Sequence, residues 1–336
     1  MKRTILSRLL NMKVAIGFLL VLSAIAALGT FIAQEQSAEF YTFHYGNQIG
    51  QFLMTTGLTD IYHSLWFIFL GILLCVYLVL CSLMRLRGRK NRRLIGSVIL
   101  HLSLVLLLAG ALLSMATGAT EDVSLVRGET AKLTEGALAG TTVQVDKFTI
   151  DWYDNGSASQ YITDLAFTDR KGKRTKEQIS VNHPYRHGFI KIYQEKYGWE
   201  VHGKVSTLDG TKKYALREGQ DFPLKEGQSL AQIFVPNYDV ESRSLKSVTA
   251  APKNPYLAVA LQANGQPVDM RLLQKNGKSM IGNLQISFDD YVPYTGLRVK
   301  YDCGIPVVFV SFILALAGLF LRYMDEIRLK KGDRHG

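Results

Sequence analysis

The chain carries seven histidines and three cysteines, and one of the histidines stands apart. His101 lies within Leu94–Thr117, twenty-four residues with no Lys, Arg, Asp or Glu. A segment of that length and composition crosses the hydrocarbon core of a bilayer. An ionisable side chain is expensive there and usually has a function. At about 1.5 Å per residue, His101 sits roughly 10 Å past the inner end of the span. A neutral imidazole offers a lone pair to haem iron or a metal, relays a proton, or hydrogen-bonds a neighbouring helix. The residues alone leave all of these open.

The other histidines are weaker candidates. His63, in YHSLWF, falls at the outer mouth of a second apolar segment among interfacial aromatics. It is a second cofactor-binding candidate, set against simple wetting at the interface. His44, in FHYG, has less still to mark it. His183 and His187, in HPYRH, have the spacing of a helical metal pair. Pro184 and the strand-like surroundings argue against a helix, so they read with His202 as loop or sheet residues, and no metal site is assigned. Cys75 and Cys81 lie within an apolar span and Cys303 abuts another. No CxxC or CxxCH motif is present, which excludes a thioredoxin-like pair, a zinc ribbon and covalent haem attachment to this chain. The sequence also lacks a glycine-rich phosphate loop, a nucleophile elbow and an informative carboxylate pair. No self-contained enzyme active site is legible, and no catalytic residue is assigned.

What must position these residues is a set of membrane helices. Residues 14–33, 65–84, 94–117 and 304–321 read as four spans. Basic residues order them. Residues 1–13 carry four Lys/Arg, the loop 85–93 (RLRGRKNRR) carries six, and the tail 322–336 carries five, whereas residues 34–64 carry none. Short Lys/Arg-rich loops stay cytoplasmic, so the amino terminus, the loop 85–93 and the tail are inside, and residues 34–64 and 118–303 are external. The first span resembles a signal sequence in its basic start and small-residue end, yet it is long for one, and the charge asymmetry favours its retention.

The formal charge of +11 is therefore a topology signal and not a nucleic-acid footprint. The region Thr117–Cys303 is close to neutral, with 24 basic and 22 acidic residues. Its 187 residues suffice for one sizeable core. TTVQVDKFTIDWY alternates in the manner of a strand. Turn signals at Asp154-Asn155-Gly156, Arg170-Lys171-Gly172, Asp209-Gly210, Asn264-Gly265 and Asn276-Gly277 separate further β-branched and aromatic runs. The expected fold is four transmembrane α-helices with a large external β-rich domain, an antiparallel sandwich or open barrel, between the third and fourth.

Several stretches resemble the ResB (CcsB) family of System II cytochrome c biogenesis proteins, and the resemblance covers the whole chain. They are LGTFIAQ (Leu28–Gln34), DIYHSLWF (Asp60–Phe67), HLSLVLLLAGALL (His101–Leu113), ISVNHPYRHGFIKIYQEKYG (Ile179–Gly198) and YTGLRVKYDCGIPVV (Tyr294–Val308). Ala33, Tyr185 and Cys303 depart from the pattern, and the chain is shorter than many relatives. None of these departures touches the third-span histidine.

The resemblance implies a multi-pass protein of the bacterial cytoplasmic membrane that works with a ResC (CcsA) partner. The pair carries haem b across the membrane and attaches it to apocytochrome c, and His101 is one axial ligand within the membrane. The tryptophan-rich haem motif belongs to the partner, and the three tryptophans here, Trp66, Trp152 and Trp199, are scattered. Two alternatives remain at this stage. One is a scaffold in which haem is bound wholly by the partner. The other is a b-type redox subunit, which ordinarily needs paired membrane histidines.

Overall fold

The computed structural model describes residues 12–86, 91–207, 210–224 and 227–332. The expectations for residues 1–11, for most of the basic loop and for the end of the tail fall outside the described residues. The chain forms two compact units, residues 1–118 with 302–336, and residues 119–301.

The first unit is helical. α1 (Met12–Phe31), α4 (Leu65–Leu86), α5 (Arg92–Thr117) and α6 (Gly304–Gly332) are long and apolar enough to cross a membrane. Much of their apolar surface faces outward, as lipid-facing residues do. Leu20, Leu65 and Ile313 are each about two-thirds exposed or more. Between α1 and α4 the chain is not a plain loop. It folds into two short helices, α2 (Ala38–Tyr45) and α3 (Asn47–Thr55). Ser37 caps α2, its hydroxyl accepting from the Phe40 amide. This small assembly closes around Tyr41 and Ile61, both buried, and the Tyr41 hydroxyl donates to Ala33 O at 2.6 Å. The Gln34 side chain ties the two chain segments together, donating to Leu58 O and accepting from the Ile61 amide.

α5 and α6 form the main helical contact, through two rows of small residues. Gly96, Ser103 and Gly110 on α5 recur every seven residues, as do Gly304, Ser311 and Gly318 on α6. Ser103 and Ser311 are each 1% exposed and bond their own helix's carbonyls at Leu100 and Val308. With no hydrophobic drive between helices in lipid, backbone approach over small residues supplies the packing. Each helix start is capped. Asn91 accepts from the Leu94 amide at α5. Asp302 accepts from the Gly304 and Ile305 amides at α6, and Ser114 of α5 donates to its second carboxylate oxygen.

The second unit is built of fourteen described strands, and all of its strand ladders are antiparallel. Two long strands, β7 (Ile190–Thr207) and β14 (Leu284–Tyr301), pair along their length. They carry β1 (Ala119–Val126), β6 (Tyr185–His187), β8 (Gly210–Leu216) and β13 (Gly277–Ile281) in a six-stranded sheet. A second sheet comprises β2 (Thr130–Lys132), β3 (Thr142–Trp152), β4 (Ala158–Thr168) and β5 (Arg174–Ser180). The third comprises β9 (Phe222–Pro223), β10 (Gln228–Val235), β11 (Tyr256–Ala263) and β12 (Gln266–Gln274).

The single core expected from length is instead two. Val143, Phe167, Ile192 and Val299 belong to one, and Val201, Leu257, Ile286 and Phe288 to the other. The long strands enter both, because each half of β7 and of β14 faces a different small sheet. Bulges in the β7–β14 ladder, at Phe288/Asp290 and Gly296/Leu297, lie around the changeover. Between the halves, buried Gln194 accepts from Thr163 and Thr295 and donates to Lys196 O, so the polar group in the interior is satisfied. Gly198 is required here, since a Cβ would meet the Tyr294 ring at 2.4 Å.

The alternation of TTVQVDKFTIDWY holds with one interruption. Val143 and Val145 point inward, a bulge follows between Val145 and Lys147, and the next buried residue is Phe148. One inserted residue exchanges the two faces of a strand, and here it resets the phase.

Candidate functional site

His101 is set by helix geometry. Asn91 caps α5, and His101, nine residues after Arg92, lies about 13 Å along the axis from it. It is half-buried. Ser97, one turn earlier, is 4% exposed and shares its side of the helix. Leu102 and Leu104, close by on the same helix, are 46% and 42% exposed. The imidazole thus occupies an otherwise apolar stretch of helix with Ser97 one turn away. A neutral imidazole carries a lone pair that can coordinate a metal.

His63 is positioned by the folded segment between α1 and α4. Its Nδ1 lies 2.6 Å from Asp60 Oδ1 and 3.3 Å from Glu35 Oε1. Glu35 adopts a left-handed backbone (φ 56°), fixed by its amide donating to Thr59 O at 2.9 Å. The Tyr62 hydroxyl reaches back to Ala26 O of α1. Sequence reading singled out His63 but missed both carboxylates. Glu35 and Asp60 are twenty-five residues apart, and the only hint was the polar Gln34–Gln36 run against an Asp three residues before a His.

The two candidate histidines are not brought together. His63 stands just before the amino end of α4, whereas about 24 Å of helix separates His101 from the carboxyl end of α5. One iron cannot be shared between them. The remaining described histidines match their reading as loop or sheet residues, apart from His44. His44 stacks on Phe40 within α2 at 5.0 Å. His183 lies in a turn bonded to Ser180, His187 ends β6, and His202 in β7 pairs with Glu200 at 2.8 Å.

The β-unit carries a second polar focus. Arg217, following β8, donates to Glu129 at 2.6 Å and to Glu200 at 2.7 Å, and also to Ser124 O. It lies 5.7 Å from the Tyr294 ring centre. Burial works against its charge, and the hydrogen bonds and charges of Glu129 and Glu200 outweigh that and raise its already high pKa. A guanidinium so fully engaged ties β1, β7 and β8 together.

Four apolar helices bearing one half-buried histidine, with an antiparallel β-unit inserted before the last, define a multi-pass membrane protein with an appended β domain. The profile of the ResB-like family matches residues 12–89 and 87–329, so the chain belongs to that family. It is 25% identical to a cytochrome c biogenesis protein CcsB of Gloeobacter violaceus, with 94% of this chain and 82% of that one covered. It is 26% identical to cytochrome c biogenesis protein Ccs1 of Guillardia theta, covering 95% and 89%. It is 23% identical to the chloroplastic protein CCS1 of Arabidopsis thaliana, covering 97% and 73%. A solved structure, cytochrome c haem lyase CcmF, overlays with a TM-score of 0.30 and 12% identity, covering 90% of this chain and 34% of that one. A likeness that slight bears on neither fold nor function.

Proposed function

We propose that this chain serves cytochrome c biogenesis as a membrane subunit that handles haem b at His101. Its relatives in cyanobacteria and plastids are named for cytochrome c biogenesis. The observation that carries the site is the half-buried imidazole on an otherwise apolar membrane helix, near the inner end of that helix. Haem is the cargo here and not a resident group. The neutral imidazole donates its lone pair to the iron, and the surrounding leucines suit the porphyrin and exclude water.

The Lys/Arg-rich segments support a cytoplasmic loop around residue 88 and a cytoplasmic tail in a bacterial cell, so that cargo made there meets His101 first. The second axial ligand comes from a ResC (CcsA)-type partner, because His63 lies too far along the bundle. The β-unit, on the outer side, receives that partner and apocytochrome c. Nothing in this reading requires nucleic acid or a catalytic residue of the chain's own.

In cells depending on this protein for c-type cytochromes, His101→Ala abolishes maturation while membrane insertion persists, and added imidazole restores part of it. His63→Ala leaves haem handling at the inner side intact. Full maturation by His101→Ala would leave the chain as a scaffold.

A further inference from the structure

The carboxylates of Glu35 and Asp60 and the imidazole of His63 each offer one donor atom, and the three atoms lie within 4.8 Å of one another. They come from two segments held in fixed register. Glu35 is bonded through its amide to Thr59 O, and the Gln34 side chain bonds both Leu58 O and the Ile61 amide. Ser64 caps the same turn by donating to Ile61 O at 2.6 Å. The turn at residues 58–64 therefore presents Asp60 and His63 together, and the left-handed backbone at Glu35 brings the third donor to them.

We propose that Glu35, Asp60 and His63 bind a divalent cation of the zinc class. One nitrogen and two carboxylate oxygens form a borderline donor set. It suits zinc, cobalt or manganese better than calcium or magnesium, which prefer oxygen-only shells. With bonds of about 2.1 Å, neighbouring donors around such an ion stand about 3.0–3.4 Å apart. The His63–Glu35 separation of 3.3 Å already fits, and the 2.6 Å His63–Asp60 contact opens by a few tenths of an ångström. Where a proton lies in that contact, the ion replaces it and the proton passes to solvent. The side chains are about half exposed, which leaves the remaining coordination positions to water. A bound ion would staple the end of α1 to the start of α4.

The test is a titration of the full chain, purified in detergent through a tag without histidine, with zinc against a competing chelator. One zinc per chain is expected. Glu35→Gln, Asp60→Asn and His63→Gln should each weaken it at least tenfold, and His44→Gln should not. A second readout needs no variant: in the wild-type chain, zinc should slow acylation of His63 by diethylpyrocarbonate at least tenfold and leave the exposed His44 unchanged. Absence of saturable zinc binding would overturn the proposal. So would binding that survives His63→Gln and Glu35→Gln, or His63 acylation indifferent to zinc.

Discussion

Gly96 and Gly318 face each other across α5 and α6 so closely that neither position has room for a side chain. A Cβ at Gly96 would lie 2.7 Å from Gly318 O and 2.6 Å from the Arg322 amide nitrogen, and one at Gly318 would lie 3.0 Å from Gly96 O. The obstruction is backbone, which cannot swing away. Gly96→Leu should therefore part the helices and destabilise the bundle by about 1–3 kcal/mol. Unfolding in mixed micelles measures this. Gly71→Leu, where nothing lies within 4 Å, is the control and should change little.

In the β-unit, Arg217→Met should cost about 3 kcal/mol, because it leaves Glu200, 8% exposed, without its guanidinium. Urea unfolding of the β-unit reads the loss. Replacing Arg217 and Glu200 together by apolar residues should cost less than the single change, since no uncompensated charge then stays buried.

The β-unit should also weaken in acid. The Arg298 guanidinium grips Asp122 with two bonds of 2.8 Å and holds its carboxyl below the usual range. Lys275, 2.6 Å away, does the same for Asp290. A carboxylate whose folded pKa is depressed contributes stability that is present above the unfolded value, about 4, and is lost as pH falls through the folded one. Unfolding midpoints should hold from pH 7 to about 5 and drop below about pH 4. Asp122→Asn should flatten part of that drop. Arg298 is about a third exposed and Asp122 about half, so solvent screening keeps the effect modest.

Residues 119–301 cut out as a fragment should give a β-type far-UV circular dichroism spectrum, because both cores close within them. A helical spectrum from a folded fragment would contradict the architecture.

Much of this was legible locally. The turn signals at Asp154-Asn155-Gly156, Arg170-Lys171-Gly172 and Asn264-Gly265 became reversals between paired strands, Asn276-Gly277 carries the chain from one sheet to another, and Asp209 lies outside the described residues. Asn264-Gly265, for example, joins β11 to β12 with positive φ at both residues, as a tight hairpin of this type requires. The spans were readable from uncharged length alone. What escaped reading depends on contacts distant in sequence. The two cores arise because β7 and β14 each change face part-way along, which length does not reveal. The α5–α6 seam is visible as a seven-residue recurrence only once the two helices are known to pair. Likewise, Glu35 and Asp60 reach His63 only through the fold of the segment between α1 and α4.

Haem ligation by His101 is read from its spectrum. The absorption spectrum of the purified complex of this chain with its membrane partner, wild type against His101→Ala, tests it most directly. The wild-type complex should carry haem b. The variant should show lower occupancy or a shift toward a high-spin spectrum that added imidazole reverses, since a lost axial ligand leaves the iron to water or a weaker donor. An unchanged spectrum and unchanged haem content in His101→Ala would contradict that ligation.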